Sequence, residues 1–437
     1  MKNVKFIIAV LLIFFYHTSD AQKKKIEKNL TDDQLLDLVQ KQTFRYFWEF
    51  GHPVSGLARE SSEQTPEQLE IVTIGGSGFG VMAIIVATER KWITREAAVE
   101  RMLKMLRFLY KADHYHGMFP HWMNGTTGKT IPFSRNDDGA DIVESSYLFQ
   151  GLLAARQYFD KENNEEREIR NRINDLWRDA EWDWFTRGVN VLYWHWSVNE
   201  GWKMNHEIRG WNECFITYIL AASSSRYPIS ADVYRRGWAN SDYFTNGKDF
   251  YGIKLPLGFD YGGPLFFSHY SFLGIDPHGL KDRYADYWEQ NKNHTLINRE
   301  HCIRNPKNFK GYGANCWGLT ASYSPEGYNA HSPTNDLGVI TPTAALSAFP
   351  YTPEYSMQAL RHFYEDMGDK LWSEYGFIDA FSESQNWYSK YHLAIDQGPI
   401  IVMIENYRTG LLWKLFMQNE EIQNGLKKLG VQTPYSH

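Results

Sequence analysis

Apolar positions recur every three or four residues along most of the chain, and two kinds of segment alternate. The first kind carries a single apolar stripe. Leu36, Val39, Thr43, Tyr46 and Phe50 follow Thr31 and Asp32, either of which can cap a helix, and Val99, Met102, Leu106 and Leu109 follow Thr94 in the same way. Ile169, Ile173, Leu176 and Trp184 carry the stripe between Glu165 and Phe185, with charges on the other face. The second kind is apolar on nearly every side. Residues 77–90 read SGFGVMAIIVATER, without a charge until the last turn; 141–159 are mostly apolar, and 212–224 are apolar again. A helix of this kind needs cover all round. Further helices are expected over 282–304, 314–322, 341–348, 353–372 and 398–428, while only 191–197 and 376–381 read as strands.

Buried and one-striped helices in alternation, joined by Gly- and aromatic-rich loops, predict an all-α toroid, an (α/α) barrel of inner helices wrapped by outer ones. A superhelical repeat array would alternate helices too, but it would carry self-similarity at a fixed period, which this chain lacks. No Pro/Ser-rich linker follows residue 30, so residues 31–437 are expected to form one domain after a short tail, 22–30. Ahead of it, Lys2 and Lys5 precede an apolar stretch from Phe6 to Tyr16, then Ser19, Asp20 and Ala21. This is the pattern of a cleavable secretory signal over residues 1–21, shorter than the ~20 apolar residues of a membrane span. Cleavage is expected before Gln22, with the mature chain periplasmic or secreted. No Cys stands at the cut, so no lipid anchor is expected, and no later run is long enough to span a bilayer. Export permits disulfides. Cys302 and Cys316 could pair, whereas Cys214 lies in an apolar stretch and reads as buried.

Composition sharpens the picture. Among 437 residues, 46 Lys+Arg against 52 Asp+Glu leave a net charge of -6, with no basic block beyond Lys23 to Lys25, which argues against nucleic acid as a partner. Aromatic residues make up 16% of the chain at a mean hydropathy of -0.50. Flat rings with polar tips can stay partly exposed and stack on the C–H faces of sugars, so the excess favours carbohydrate; a core filled by large side chains is the other reading.

Several familiar chemistries fail. Gly75 to Gly80 lacks the Lys-Ser/Thr of a phosphate cradle and does not fit G-x-G-x-x-G, so close backbone approach is its expected role. His114, His116 and His121 near Asp113 match no zinc spacing; beside Tyr115, Phe119 and Trp122 they read as a sugar-lining loop, and no metal is expected. Carboxyl groups carry the stronger signal. Asp137, Asp138, Asp141 and Glu144 open an apolar helix. Capping accounts for one or two of them, but Asp141 and Glu144 share a face, which points at least one towards an enclosed cavity, and Arg135 could hold one ionised. Glu213 sits between Trp211 and Cys214 at the mouth of another apolar helix. A carboxyl beside aromatic surface has a raised pKa suited to a general acid, although an ordinary helix N-terminal charge would look the same. Asp396 repeats the pattern before a third apolar helix, with Glu405, Tyr407 and Arg408 further along it. Three such helices converging on one end would let opposed carboxyl groups straddle a glycosidic bond.

The blocks TFRYFWEF (43–50), SGLARE (55–60), IGGSGFG (74–80), ATERKWITREAAVERM (87–102), GMFPHWMNGTTG (117–128), DDGADIVESSYLFQGLL (137–153), GWNECF (210–215), CWGLTAS (316–322) and DQGPIIVMIENYRTGLLW (396–413) resemble the bacterial glucoamylase-like proteins of glycoside hydrolase family 144. The resemblance covers nearly all of the chain after the signal. It implies an (α/α)6 barrel and hydrolysis of β-1,2-glucan, usually endo-acting and inverting, with sophorooligosaccharide products and no metal or organic cofactor. Carried onto this sequence, it makes Asp137, Asp141 and Glu144 candidate catalytic carboxyls, with Glu213 as general acid, Asp396 as base or water-holder, and Asp141 and Glu144 orienting substrate or supporting proton transfer. Arg59, Trp122, Phe133, Trp211, Trp317, His331 and Tyr407 become candidate glucose contacts. A monomer is expected. Three other readings share the features: an exo-acting enzyme on short β-1,2-gluco-oligosaccharides, a lyase using Tyr115 and the neighbouring histidines, and a non-catalytic glycan-binding protein.

Overall fold

The computed structural model describes residues 26–435; the expected signal segment and the cut before Gln22 lie outside them. Thr31 opens the first helix, Asp32–Trp48, with a reciprocal cap: its hydroxyl accepts the Gln34 N–H at 3.2 Å while the Gln34 side chain accepts the Thr31 N–H at 2.9 Å. Thr94 caps Arg95–Leu109 as its position suggests. Helices with one buried face form an outer layer: Asp32–Trp48, Arg95–Leu109, Asn164–Asp179, Val233–Trp238, Tyr287–Arg304, whose buried face is largely polar, and Pro353–Arg361. Between them in the chain run the inner elements, Ile74–Glu89, Ile142–Tyr158, Phe215–Ser223, the tight turns of Leu265–Ser268 and Tyr270–Leu273, Pro342–Leu346 and Ala394–Thr409. Every side chain from Ile74 to Ala87 and from Phe215 to Ser223 is buried. Each large apolar side chain so placed contributes about 1.5–3 kcal/mol as an upper bound.

The first four inner elements pack in chain order, Pro342–Leu346 packs on the last, Ala394–Thr409, and that helix returns against the first, Ile74–Glu89, and against Asp32–Trp48. The ring is therefore closed: among the described residues the chain forms an (α/α)6 barrel of six outer–inner pairs, as the alternation predicts. Close approach within the ring depends on glycine. A Cβ on Gly78 would lie 2.2 Å from the Tyr147 carbonyl oxygen, so the first two inner helices touch backbone to backbone.

Some expected elements differ. Residues 314–322 form no helix but turn into a hairpin, Ala321–Ser324 with Gly327–Ala330. The span 398–428 is three helices, Ala394–Thr409, Leu411–Met417 and Glu420–Leu429, interrupted at Gly410, whose left-handed φ of 68° stops the first. Within 353–372 the helix loosens at His362–Asp366. Cys302 and Cys316 do not bridge: with Cys214 they are free, buried thiols packed among apolar side chains. No helix among the described residues is long and apolar enough to cross a membrane.

The two ends of the barrel are unlike. Segments entering the inner elements are long: 49–73, 110–141, 180–214, 239–264, 305–341 and 372–393. Segments leaving them, such as 90–94, 159–163 and 347–352, are short. All entry segments gather at the end where the inner elements begin, and the functional side chains must come from there.

Candidate active site

Short strands lock the entry segments onto the N-terminal ends of the inner helices. Ile71–Thr73 pairs with Trp122–Asn124, and the Ile74 N–H donates to the His121 carbonyl at 3.2 Å, which sets His121 over the first inner helix. Ala140–Asp141 pairs with His195–Trp196 in the register Asp141 to His195, bringing His195 to the mouth of the second. Asp141 caps that helix: its Oδ1 accepts the Val143 and Glu144 N–H groups at 2.9 and 3.0 Å. Capping is thus real, and it uses one of the two oxygens.

The other oxygen faces two imidazoles. Asp141 Oδ2 lies 3.4 Å from His121 Nδ1 and 3.6 Å from His195 Nε2. Asp137 Oδ2 lies 3.4 Å from His195 Nε2, and Glu144 Oε1 lies 3.9 Å from His121 Nε2. Burial alone would raise the Asp141 pKa, but the His121 hydrogen bond and the charges of His195 and His121 hold it below the usual carboxylate range. Conversely, burial opposes a charge on His121, yet Glu144 and Asp141 beside it raise its pKa to about 10. Asp137 and Glu144 are each pushed up to about 7, first by burial and then by neighbouring carboxylates. His195 falls to about 4 through burial. Glu144 is also held by the Gly75 N–H at 2.7 Å, and a Cβ on Gly75 would meet the same carboxylate oxygen at 2.5 Å. The glycine run therefore seats a carboxyl rather than a phosphate. Donor atoms of His121, Asp137 and Asp141 come within 4.8 Å of one another, close enough for one cation. A cation there would have to displace the proton that Glu144 and Asp141 hold on His121.

Glu213 stands at the start of the third inner helix, half-buried, its pKa raised to about 7 by burial and by the charges of Asp141 and Glu144. Asp396 occupies the first turn of the sixth, three elements on from Glu213 in the order around the ring. It is buried against Asp379 from the entry segment 372–393, and the Tyr270 hydroxyl donates to its Oδ1 at 3.5 Å. Asp379 Oδ2 accepts the Tyr323 N–H at 2.8 Å. Burial pushes Asp379 up to about 6 and Asp396 well above its usual value, with the Asp379 charge adding to the latter. Two buried carboxyls without a cation between them share one proton and titrate as a unit. Glu60, at the end of the SGLARE block, raises the pKa of both Glu144 and Asp396.

The aromatic candidates divide. Phe133 is exposed and stacks on His121 with ring centroids 4.2 Å apart, and Trp122 meets Phe133 edge-on at 4.8 Å. Trp211 and Trp317 do not reach the cleft: both are fully buried in the core, Trp211 between Phe215, Trp238 and Tyr287. Their size, which suggested stacking on sugar, is spent on packing. His331 is likewise fully buried. Tyr407 is exposed near the C-terminus of its helix, at the end opposite Asp396, beside Asp33 and Arg408. Arg59 gives two of its N–H donors to the Leu69 and Phe50 carbonyls at 2.8 and 2.9 Å and covers the Phe50 ring, which braces the entry segment. Arg135 pairs with Glu200 at 3.2 Å instead of an active-site acid. The histidine cluster disperses too: His116 stacks on Trp184 and bonds Glu181, and only His121 joins the site.

Sequence reasoning passed over His195, Asp379, Glu60, Tyr270 and Tyr328. Tyr328 stands on the hairpin, its ring exposed, and crowding by the surrounding protein and then the Asp396 charge raise its pKa. None of these residues lies in an apolar helix opening, the signal that exposed the others.

A helical toroid whose entry end sets carboxyls of raised pKa across from one another, beside exposed rings, has the frame of an acid/base glycosidase. Comparison with known proteins narrows this. The model of the family described as "Putative glucoamylase" matches residues 205–420. A crystal structure from Bacteroides uniformis with that same description is 65% identical and superposes at a TM-score of 0.92, covering 94% of this chain and 100% of that one. An endo-β-1,2-glucanase from Chitinophaga pinensis, solved with sophorotriose and glucose, is 57% identical at a TM-score of 0.91, covering 93% of this chain and 100% of that one. An exo β-1,2-glucooligosaccharide sophorohydrolase acting at the non-reducing end, from Parabacteroides distasonis, is 47% identical over 92% of this chain, which spans 58% of that relative's length. The chain belongs to the glucoamylase-like family, glycoside hydrolase family 144.

Proposed function

We propose that the chain is an exported, monomeric β-1,2-glucan hydrolase that cleaves within the glucan and releases sophorooligosaccharides with inversion. The observation that carries the reading is the pairing across the ring of Glu213, with its pKa near 7, and the proton-sharing dyad Asp379/Asp396. In this reading Glu213 protonates the glycosidic oxygen as the C–O bond breaks. A water attacks the anomeric carbon from the opposite face, and its proton passes to the singly ionised dyad. One water is consumed, and the new reducing end has inverted configuration. Asp141, held ionised by His121, orients sugar hydroxyls together with Glu144 and Asp137, and Phe133 and Trp122 offer ring faces. The Chitinophaga pinensis relative, matched over its full length, supports the endo reading. The Parabacteroides distasonis relative supports a second reading, exo removal of short units, in which the hairpin bearing Tyr328 narrows one end of the cleft.

Incubating residues 22–437 with linear β-1,2-glucan, with product size followed by chromatography and product anomer by NMR, separates these. Early oligosaccharides of mixed length with inverted anomers are expected. Disaccharide alone from the outset would establish the exo reading, and binding without cleavage would overturn both.

A further inference from the structure

The fourth entry segment, 239–264, contributes nothing to the catalytic groups, yet it carries a second concave surface. Tyr243 and Phe259 project from it 59% and 43% exposed, with ring centroids 5.1 Å apart and planes at 35°. They line a cavity of about 540 Å³ together with Asn246, Lys248, Asp260 and Thr334. Its polar groups are pre-set: Asp260 accepts from Lys248 at 2.9 Å and from Asn246 at 3.2 Å, so their remaining donors and acceptors are held on the rim beside the rings. Two large rings kept in water beside fixed polar groups suit a ligand with an apolar face and a girdle of hydroxyls, a pyranose. The alternative of simple core packing fails because both rings remain exposed.

The cavity is braced against the buried segment that leads into Glu213. The Tyr243 carbonyl accepts the Trp211 N–H at 3.3 Å, two residues before Glu213, and a Cβ on Gly258 would touch the Trp211 ring at 2.9 Å. Thr334 follows the hairpin that carries Tyr328. We propose that the Tyr243–Phe259 surface is a remote glycosyl-binding subsite that holds a distant glucosyl unit of the same chain whose bond lies at Glu213. The proposal rests on the β-1,2-glucan reading for the identity of the polymer. Its consequence is a preference for long chains, since only these reach both places at once and gain from the linkage.

Tyr243→Ala/Phe259→Ala, with Tyr243→Phe as the conservative control, tests the subsite. KM and kcat would be measured on long β-1,2-glucan and on a short sophorooligosaccharide, and retardation on gels containing each of several β-glucans would be followed in parallel. The double variant is expected to raise KM for the long glucan about tenfold at unchanged kcat, to leave the short substrate unaffected, and to lose retardation; Tyr243→Phe keeps all three. Unchanged KM on the long chain, or equal losses on both substrates, would overturn the subsite. Retardation by a different β-glucan that the enzyme leaves uncut, abolished in the double variant, would sink the proposed function while sustaining the subsite. No retardation of the wild type by any glucan would overturn it.

Discussion

Two groups of carboxyls stand at the entry end of the barrel, on the second and sixth inner helices, and they solve the problem of burial in opposite ways. Around Asp141 the chain supplies a cation. His121 and Asp141 ionise together, each shifting the other towards its charged form. Around Asp396 stand Asp379, the Glu60 charge and the Tyr270 hydroxyl, and the pair keeps a proton instead. A fixed ion pair can orient polar hydroxyls but is a poor shuttle, because neither partner changes protonation near neutrality. A dyad that shares one proton is poised to exchange it. The difference assigns substrate-holding to the first group and proton chemistry to the second, with Glu213 supplying the acid.

The comparison breaks first on rates. Glu213→Gln and Asp396→Asn are each expected to lower kcat by about 10²–10⁴-fold, whereas His121→Asn is expected to act mainly on KM. A comparable kcat loss in His121→Asn, measured by steady-state kinetics on β-1,2-glucan, would reverse the assignment. On stability the two groups carry opposite signs. His121, raised in the folded state, contributes stability that is complete below about pH 6.5 and is lost as pH rises towards 10. His121→Asn should therefore cost about 1.5–3 kcal/mol at pH 6 and less at pH 9, read from denaturant unfolding. Asp379 is also raised, but as an acid it penalises the folded state once pH climbs past its unfolded pKa near 4. Asp379→Asn should recover about 2 kcal/mol between pH 4 and pH 8, at the expense of activity. The smallest effect belongs to the opposite end of the barrel. Tyr407→Ala should leave KM within about twofold of wild type.

The fold was legible because burial of helices on all sides leaves a direct trace, as in 77–90, and because Thr31 and Thr94 cap where a cap is needed. The region 239–273 was not, since its inner element is a pair of tight turns without helical period. Asp141, Glu144, Glu213 and Asp396 could be found because an acid at the mouth of an apolar helix is anomalous. His195 and Asp379 could not. One arrives through strand register and the other through an irregular entry segment, and neither leaves a local pattern. Aromatic residues misled for a related reason: Trp211 and Phe133 look alike in sequence, and only packing decides that one is core and the other exposed on His121.

The most direct test is the pH dependence of kcat/KM on linear β-1,2-glucan for the wild type and Glu213→Gln. The base must be ionised and the acid protonated, so activity should rise through about pH 6 with the dyad and fall through about pH 7 with Glu213. The residual activity of Glu213→Gln should keep the rise and lose the fall. An alkaline limb that persists unchanged in that variant would show that another group donates the proton and would contradict the account.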